Sequence, residues 1–182
     1  MKKVLLPVLA LLLSANAYNT MAANGTVKFT GEIKRSACDV TTESQNKEVY
    51  IGTYTTSAFP KANSTSGAKG FQITLKECDP GDYSLRFDGK TVPGHFDLLS
   101  VSTDGAPGNS IATGVGIEIL DHNNIPLAIA DGTNISDDVA KLKVNTFGEA
   151  AVFNLKARYR SFNDAVTPGL ANATSTFSIE YK

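Results

Sequence analysis

Apolar and polar residues alternate with a period of two along most of this chain. The pattern is longest near the C-terminal end. There Ala171, Ala173, Ser175, Phe177, Ile179 and Tyr181 share one face, opposite Asn172, Thr174, Thr176, Ser178, Glu180 and Lys182. Strand side chains alternate faces, so this segment predicts a strand with one increasingly apolar face and one polar face. Gly25, Val27, Phe29, Gly31 and Ile33 alternate in the same way with Thr26, Lys28, Thr30, Glu32 and Lys34. Shorter runs follow: Val49 and Ile51, then Phe71, Ile73 and Leu75 leading to Cys78, then Leu85 and Phe87 stopped by Asp88-Gly89. Residues 115–119 and 126–129 flank Asp121-His-Asn-Asn and predict a hairpin, and residues 151–159 predict a further strand.

Turn-rich breaks separate these runs, at residues 64–67, 79–81, 104–108 and 167–169. No segment holds a helical period, although residues 136–142 could form one short helical turn. Short strands at regular spacing without interposed helices predict an antiparallel β-sandwich. There are no internal repeats or low-complexity runs, so the expectation is one domain.

The N-terminus changes the picture. Lys2 and Lys3 precede an apolar run of about ten residues, and Ser14-Ala-Asn-Ala17 offers a small-x-small cleavage site, the pattern of a secretory signal peptide. The run is half the roughly twenty residues a membrane span needs. Cleavage after Ala17 leaves 165 residues and moves the formal charge from -1 to -3; cleavage after Ala22 or Ala23 is the alternative. The mild acidity, with no basic cluster, argues against nucleic acid or anionic lipid as partner. Its two cysteines, Cys38 and Cys78, predict a disulfide in an oxidising compartment, with two free buried thiols as the alternative. Such a bridge stabilises by roughly 3–4 kcal/mol in the chain-entropy model.

Catalytic chemistry finds little support. His95 and His122 read as surface turn residues, and Asp137-Asp138 as a helix start. Gly114-Val-Gly116 precedes no helix and so forms no phosphate cradle. No cofactor, metal site or enzyme activity is expected.

Four stretches resemble, in order and spacing, the chaperone–usher pilus subunits, and more narrowly the major pilins of the type 1 fimbrial family. They are residues 25–33 followed by Cys38; residues 71–78 ending in the second cysteine; residues 116–121 with Pro126-Leu127; and Ala157-Arg-Tyr159 with the segment from Gly169 to Tyr181. In the family signature a glycine stands fourteenth from the end and a tyrosine is penultimate, as Gly169 and Tyr181 do here.

The resemblance implies an all-β fold: an incomplete immunoglobulin-like sandwich, the pilin fold, lacking its final strand and preceded by a donor-strand extension. The implied organisation is a signal peptide at residues 1–17, the extension at 18–33 and the pilin domain at 34–182. Gly25, Val27 and Phe29 are the implied donor residues, with Met21 and Ala23 in the same register. The alternative is that residues 25–33 are the first strand of their own sandwich. Gly169, Ala171, Ala173, Phe177, Ile179 and Tyr181 are the implied acceptor-groove and chaperone-contact residues. The partners implied are neighbouring pilin subunits in a homopolymer, a periplasmic pilus chaperone and an outer-membrane usher; any host receptor is met only through the assembled fimbria. The chain would pass through the periplasm to the cell surface as a structural, adhesion-supporting subunit. A minor adaptor or terminator subunit, or an adhesin of the same fimbria, is the alternative.

Overall fold

The structure, a computed structural model, describes residues 25–32, 38–103, 108, 110–132 and 137–181. Residues 1–17, where a signal peptide is expected, and Met21, Ala23 and Ile33 lie outside the described residues. Chain contacts divide the molecule into two units, Met1–Ile33 and Lys34–Lys182. In the first, residues 25–32 form neither strand nor helix and are exposed.

In the second unit strands dominate, in two sheets. The first sheet runs in the order β1 (Asp39–Val40), β2 (Lys69–Lys76), β9 (Ala151–Ser161), β6 (Val115–Leu120), β5 (His95–Ser100) and β4 (Thr91–Val92). In the second, β3 (Gly81–Asp88) pairs on one side with β10 (Thr176–Tyr181). On its other side it takes both β8 (Ala140–Val144) and β7 (Ile129–Ala130). Pairing is antiparallel except between β3 and β7.

The core follows from the period-two pattern. Ile73 and Leu75 of β2, Phe153 and Leu155 of β9, Ile117 and Ile119 of β6, and Leu85 and Phe87 of β3 all turn inward and are buried between the sheets. A smaller cluster of Phe59, Ala112 and Val115 closes one end, with Tyr159, Val166 and Ala171 packed against it. The expected disulfide is formed: Cys38 and Cys78, forty positions apart, lie at a Cα separation of 4.2 Å. It ties the start of the domain to the β2–β3 turn.

Several expectations are corrected. The helical turn expected at residues 136–142 is not formed in its described part. Ala140–Val144 is β8, paired with Gly81–Leu85; Ala140 and Val144 are buried while Lys141 and Lys143 are exposed, so strand burial overrides a weak helical pattern. Asp137 and Asp138 accordingly start no helix, and the Asp138 carbonyl accepts the Ala128 amide. His95 is not in a turn but opens β5, its ring 5.8 Å from that of Phe162. His122 is an exposed turn residue as expected.

The hairpin turn at 121–125 forms, with the Asp121 amide donating to the Ile125 carbonyl. Its return arm then leaves the first sheet, and Ile129–Ala130 joins β3 in the second. Val49 and Ile51 point toward the core but belong to no strand. The last strand is also shorter than its pattern. Residues 170–172 make isolated bridges to Ile111 and Ser102, and regular pairing begins at Thr176.

Candidate functional site: an open sheet edge

Strand β10 pairs with β3 in strict register, Phe177 opposite Phe87, Ile179 opposite Leu85 and Tyr181 opposite Tyr83. No second strand pairs with β10 among the described residues, so half of its backbone donors and acceptors face away from the ladder. The inner face records the same asymmetry. Leu85 and Phe87 are 0% and 4% exposed, whereas Phe177, Ile179 and Ala173 are only half-buried, although they pack on the same core.

The first sheet is incomplete on the same side. Beyond the short β1, which covers only Leu75 and Lys76, the outer edge of β2 has no strand partner among the described residues. Phe71 and Val49 lie there, half-buried against the core. Three rings connect the two edges. Phe87 sits 6.4 Å from Phe71 of the first sheet and 6.4 Å from Phe177 of its own sheet, both edge-on. The buried ring at the centre is thus flanked by two half-exposed ones. At the opposite end β5 and β7 close the sandwich. Among the described residues, the half-exposed part of the main core is thus bordered by β10 and by residues 49–51 with Phe71.

Both signature positions have a visible physical role. Gly169 lies where the chain passes the backbone of Ile111 and Ala112, and a Cβ there would overlap those atoms. The approach is held by the Ala112 amide donating to the Leu170 carbonyl (2.9 Å) and the Leu170 amide to that of Ser110 (2.8 Å). Tyr181, 48% exposed, lies 5.2 Å from the Tyr83 ring, and its hydroxyl donates to the Pro80 carbonyl (3.2 Å). Its ring covers Gly81, where a side chain would collide with it. Burial raises the Tyr83 hydroxyl pKa above 10.0, helped by Tyr181 and Asp79.

The structure brings Ala173, Phe177, Ile179 and Tyr181 onto the open edge. Ala171 instead packs on the small end cluster, its carbonyl accepting the Tyr159 hydroxyl (3.1 Å). Of the donor candidates, Val27 is 73% and Phe29 91% exposed, and Gly25 is exposed too. Phe71, Val49 and Gly81 were not anticipated as site residues. Phe71 carried a usable signal as an inward residue, but its place at a sheet edge is a property of topology.

A second polar feature supports the scaffold. Glu118, fully buried, accepts Arg158 Nε and Arg160 Nη1, both at 2.6 Å, and Arg160 Nη2 donates to Asp97 (2.7 Å). Among the described residues no group of His, Cys, Asp or Glu could hold a metal.

Residues 27–182 match the family model described as fimbrial protein. The chain is 67% identical over 182 residues to a type-1 fimbrial protein subunit of Serratia marcescens, covering all of both chains. It is 34% identical over 178 residues to a type 1 fimbrial subunit of Salmonella typhimurium, covering 96% of this chain and 92% of that one. Among solved structures it resembles the P pilus rod subunit PapA in fold (TM-score 0.62, 22% identity, 81% of this chain and 100% of that one). It also resembles a type I fimbria protein and antigen of Burkholderia pseudomallei (TM-score 0.54, 30% identity, 86% and 97%).

Proposed function

The chain belongs to the fimbrial protein family and is a structural, non-enzymatic subunit that associates with other pilin subunits in a surface fimbria; from this premise we propose that it polymerises by donor-strand exchange along the open edge of β10. The observation that carries this reading is the mismatch across one strand pair: Phe87 buried, Phe177 half-exposed, with no strand beyond it among the described residues. An added strand would satisfy the free backbone groups of β10 and cover Phe177, Ile179, Val49 and Phe71 at once. That is β-augmentation, with main-chain bonds supplying affinity and alternate side chains supplying fit.

The donor is the segment around Gly25, Val27 and Phe29 of the next copy. Its apolar face alternates as the groove requires, and its two large side chains are exposed. In this reading cleavage follows Ala17, residues 18–33 are the extension and 34–182 the domain. A periplasmic chaperone covers the same edge first, because unpaired β edges beside apolar surface aggregate. An outer-membrane usher then exchanges the chaperone strand for the donor, and the finished fimbria supports adhesion. The test is expression with the assembly genes of a mature chain lacking residues 18–32. The subunit should still bind the chaperone yet form no fibre; fibres of ordinary length would overturn the donor assignment.

A further inference from the structure

Any sheet edge without a neighbour offers its backbone groups to another strand. Among the described residues the free edges of this molecule are unequal. The first sheet ends on β1 and β4, two residues each, and Pro93, directly after β4, has no amide to donate. Strand β7 also has only two residues. Besides the part of β2 in the open groove, only β8, with five residues, and β10, with six, are long enough to build a ladder. Strand β8 pairs with β3 alone, so its other side is bare in the same way as that of β10.

The two edges differ in what they carry on the solvent face. Along β8, Ala140 and Val144 are buried and Leu142 is half-buried, while Lys141 and Lys143 are exposed. Lys143 lies opposite Asp82 of β3, and Lys141 opposite uncharged Ser84. An antiparallel contact between two copies that keeps both outer faces on one side sets outward residues against outward residues. Centred on Leu142, it opposes Lys141 with Lys143 twice. Slid by two residues either way, it opposes Lys141 or Lys143 with its own counterpart. Like charges directly opposite destabilise a strand pair. The matching contact of β10, centred on Ser178, opposes Ser178 with itself and Thr176 with Glu180, without like charges.

We propose that Lys141 and Lys143 bar β8 from pairing with a second copy, and thereby determine which edge of the second sheet accepts a strand. Shortness protects the other edges; at β8 charge does so in its place. The consequence for assembly rests on the reading of β10 as the acceptor edge. The repulsion at β8 does not depend on it.

The test is sedimentation of the mature chain, purified from the periplasm with its bound chaperone. The unsubstituted complex should hold one copy of the chain. Lys141→Glu turns both opposed pairs of the centred contact into Glu–Lys pairs. It should strengthen self-association by about tenfold or more, giving dimers of the complex. Raised salt should dissolve them. Adding Lys143→Glu opposes Glu with Glu and should return the complex to one copy. Both lysines are exposed, so thermal unfolding should be unchanged in each variant. A single variant as monomeric as the unsubstituted chain, or a double variant that associates as strongly as the single, would overturn the proposal. Recovery of the unsubstituted chain as a stable monomer without a chaperone would instead overturn the acceptor reading of β10. The same three-way comparison on that monomer would still decide the role of β8.

Discussion

The ring of Phe177 lies 6.4 Å from that of Phe87, its direct cross-strand partner, at an interplanar angle of 63°. One ring is buried and the other half-exposed. The boundary between finished core and open groove therefore falls between two neighbouring strands.

Truncating the two rings should have different consequences. Phe87→Ala removes a full core side chain and should cost the subunit about 3–5 kcal/mol in every state. Phe177→Ala should cost the uncomplemented subunit about half as much or less, because part of its ring is in water there. Its main effect should appear in the fibre, as a lower denaturant midpoint for dissociation. Equal losses in both measurements would place Phe177 in a closed core.

Phe29→Ala should leave the unfolding of a subunit complemented by another copy's strand unchanged when the substitution is in the subunit's own extension. It should weaken the joint that extension makes by about 3–5 kcal/mol, the usual cost of deleting a buried Phe. Mixed-subunit fibres, scored by thermal dissociation, separate the two effects.

Gly169→Ala should lower chaperone-bound subunit yield and thermal stability, because the added methyl meets the Ile111 and Ala112 backbone, which cannot swing aside as a flexible side chain can. Gly81→Ala makes a useful contrast. It meets only the Tyr181 ring, so it should displace that ring from Tyr83 and lower stability less. Calorimetry of the two variants checks the order.

Glu118→Gln keeps the shape of the buried side chain but removes the charge that faces Arg158 and Arg160. Breaking one partner of a buried pair typically costs about 3–5 kcal/mol. Denaturant unfolding should register that loss, with fibre morphology preserved where the subunit still folds.

High pH should destabilise the domain through its tyrosines. Burial raises the hydroxyl pKa of Tyr83 and of Tyr159 above 10.0, with neighbouring Tyr181 acting on the first and Tyr50 and Tyr54 on the second. A raised folded pKa means the folded state holds its proton more tightly. The stability this represents is fully present below pH 10 and is lost as pH rises through the folded values. Thermal midpoints measured across that range should fall, and Tyr83→Phe should flatten the fall.

Much of the fold was legible. The inward sets at 71–75, 85–87, 115–119 and 151–159 form strands because each has one apolar face to bury. Cys38 and Cys78 pair as expected of a lone couple in an exported chain. Short runs read less well. Ala140–Val144 has only five residues, too few to separate a period of two from a helical turn, and His95 opens a strand whose pattern is broken by paired Leu98 and Leu99, both buried.

By itself the sequence determined the alternating stripes and the disulfide partners, because both depend on residue type and local spacing; that Gly169 is a close-packing glycine came from the fold. Only the tertiary structure decided which stripe is left uncovered. Val49, Phe71 and Phe177 are as apolar as residues that end fully buried; what distinguishes them is which strand lies next to each, and that is set by the order of strands in two sheets.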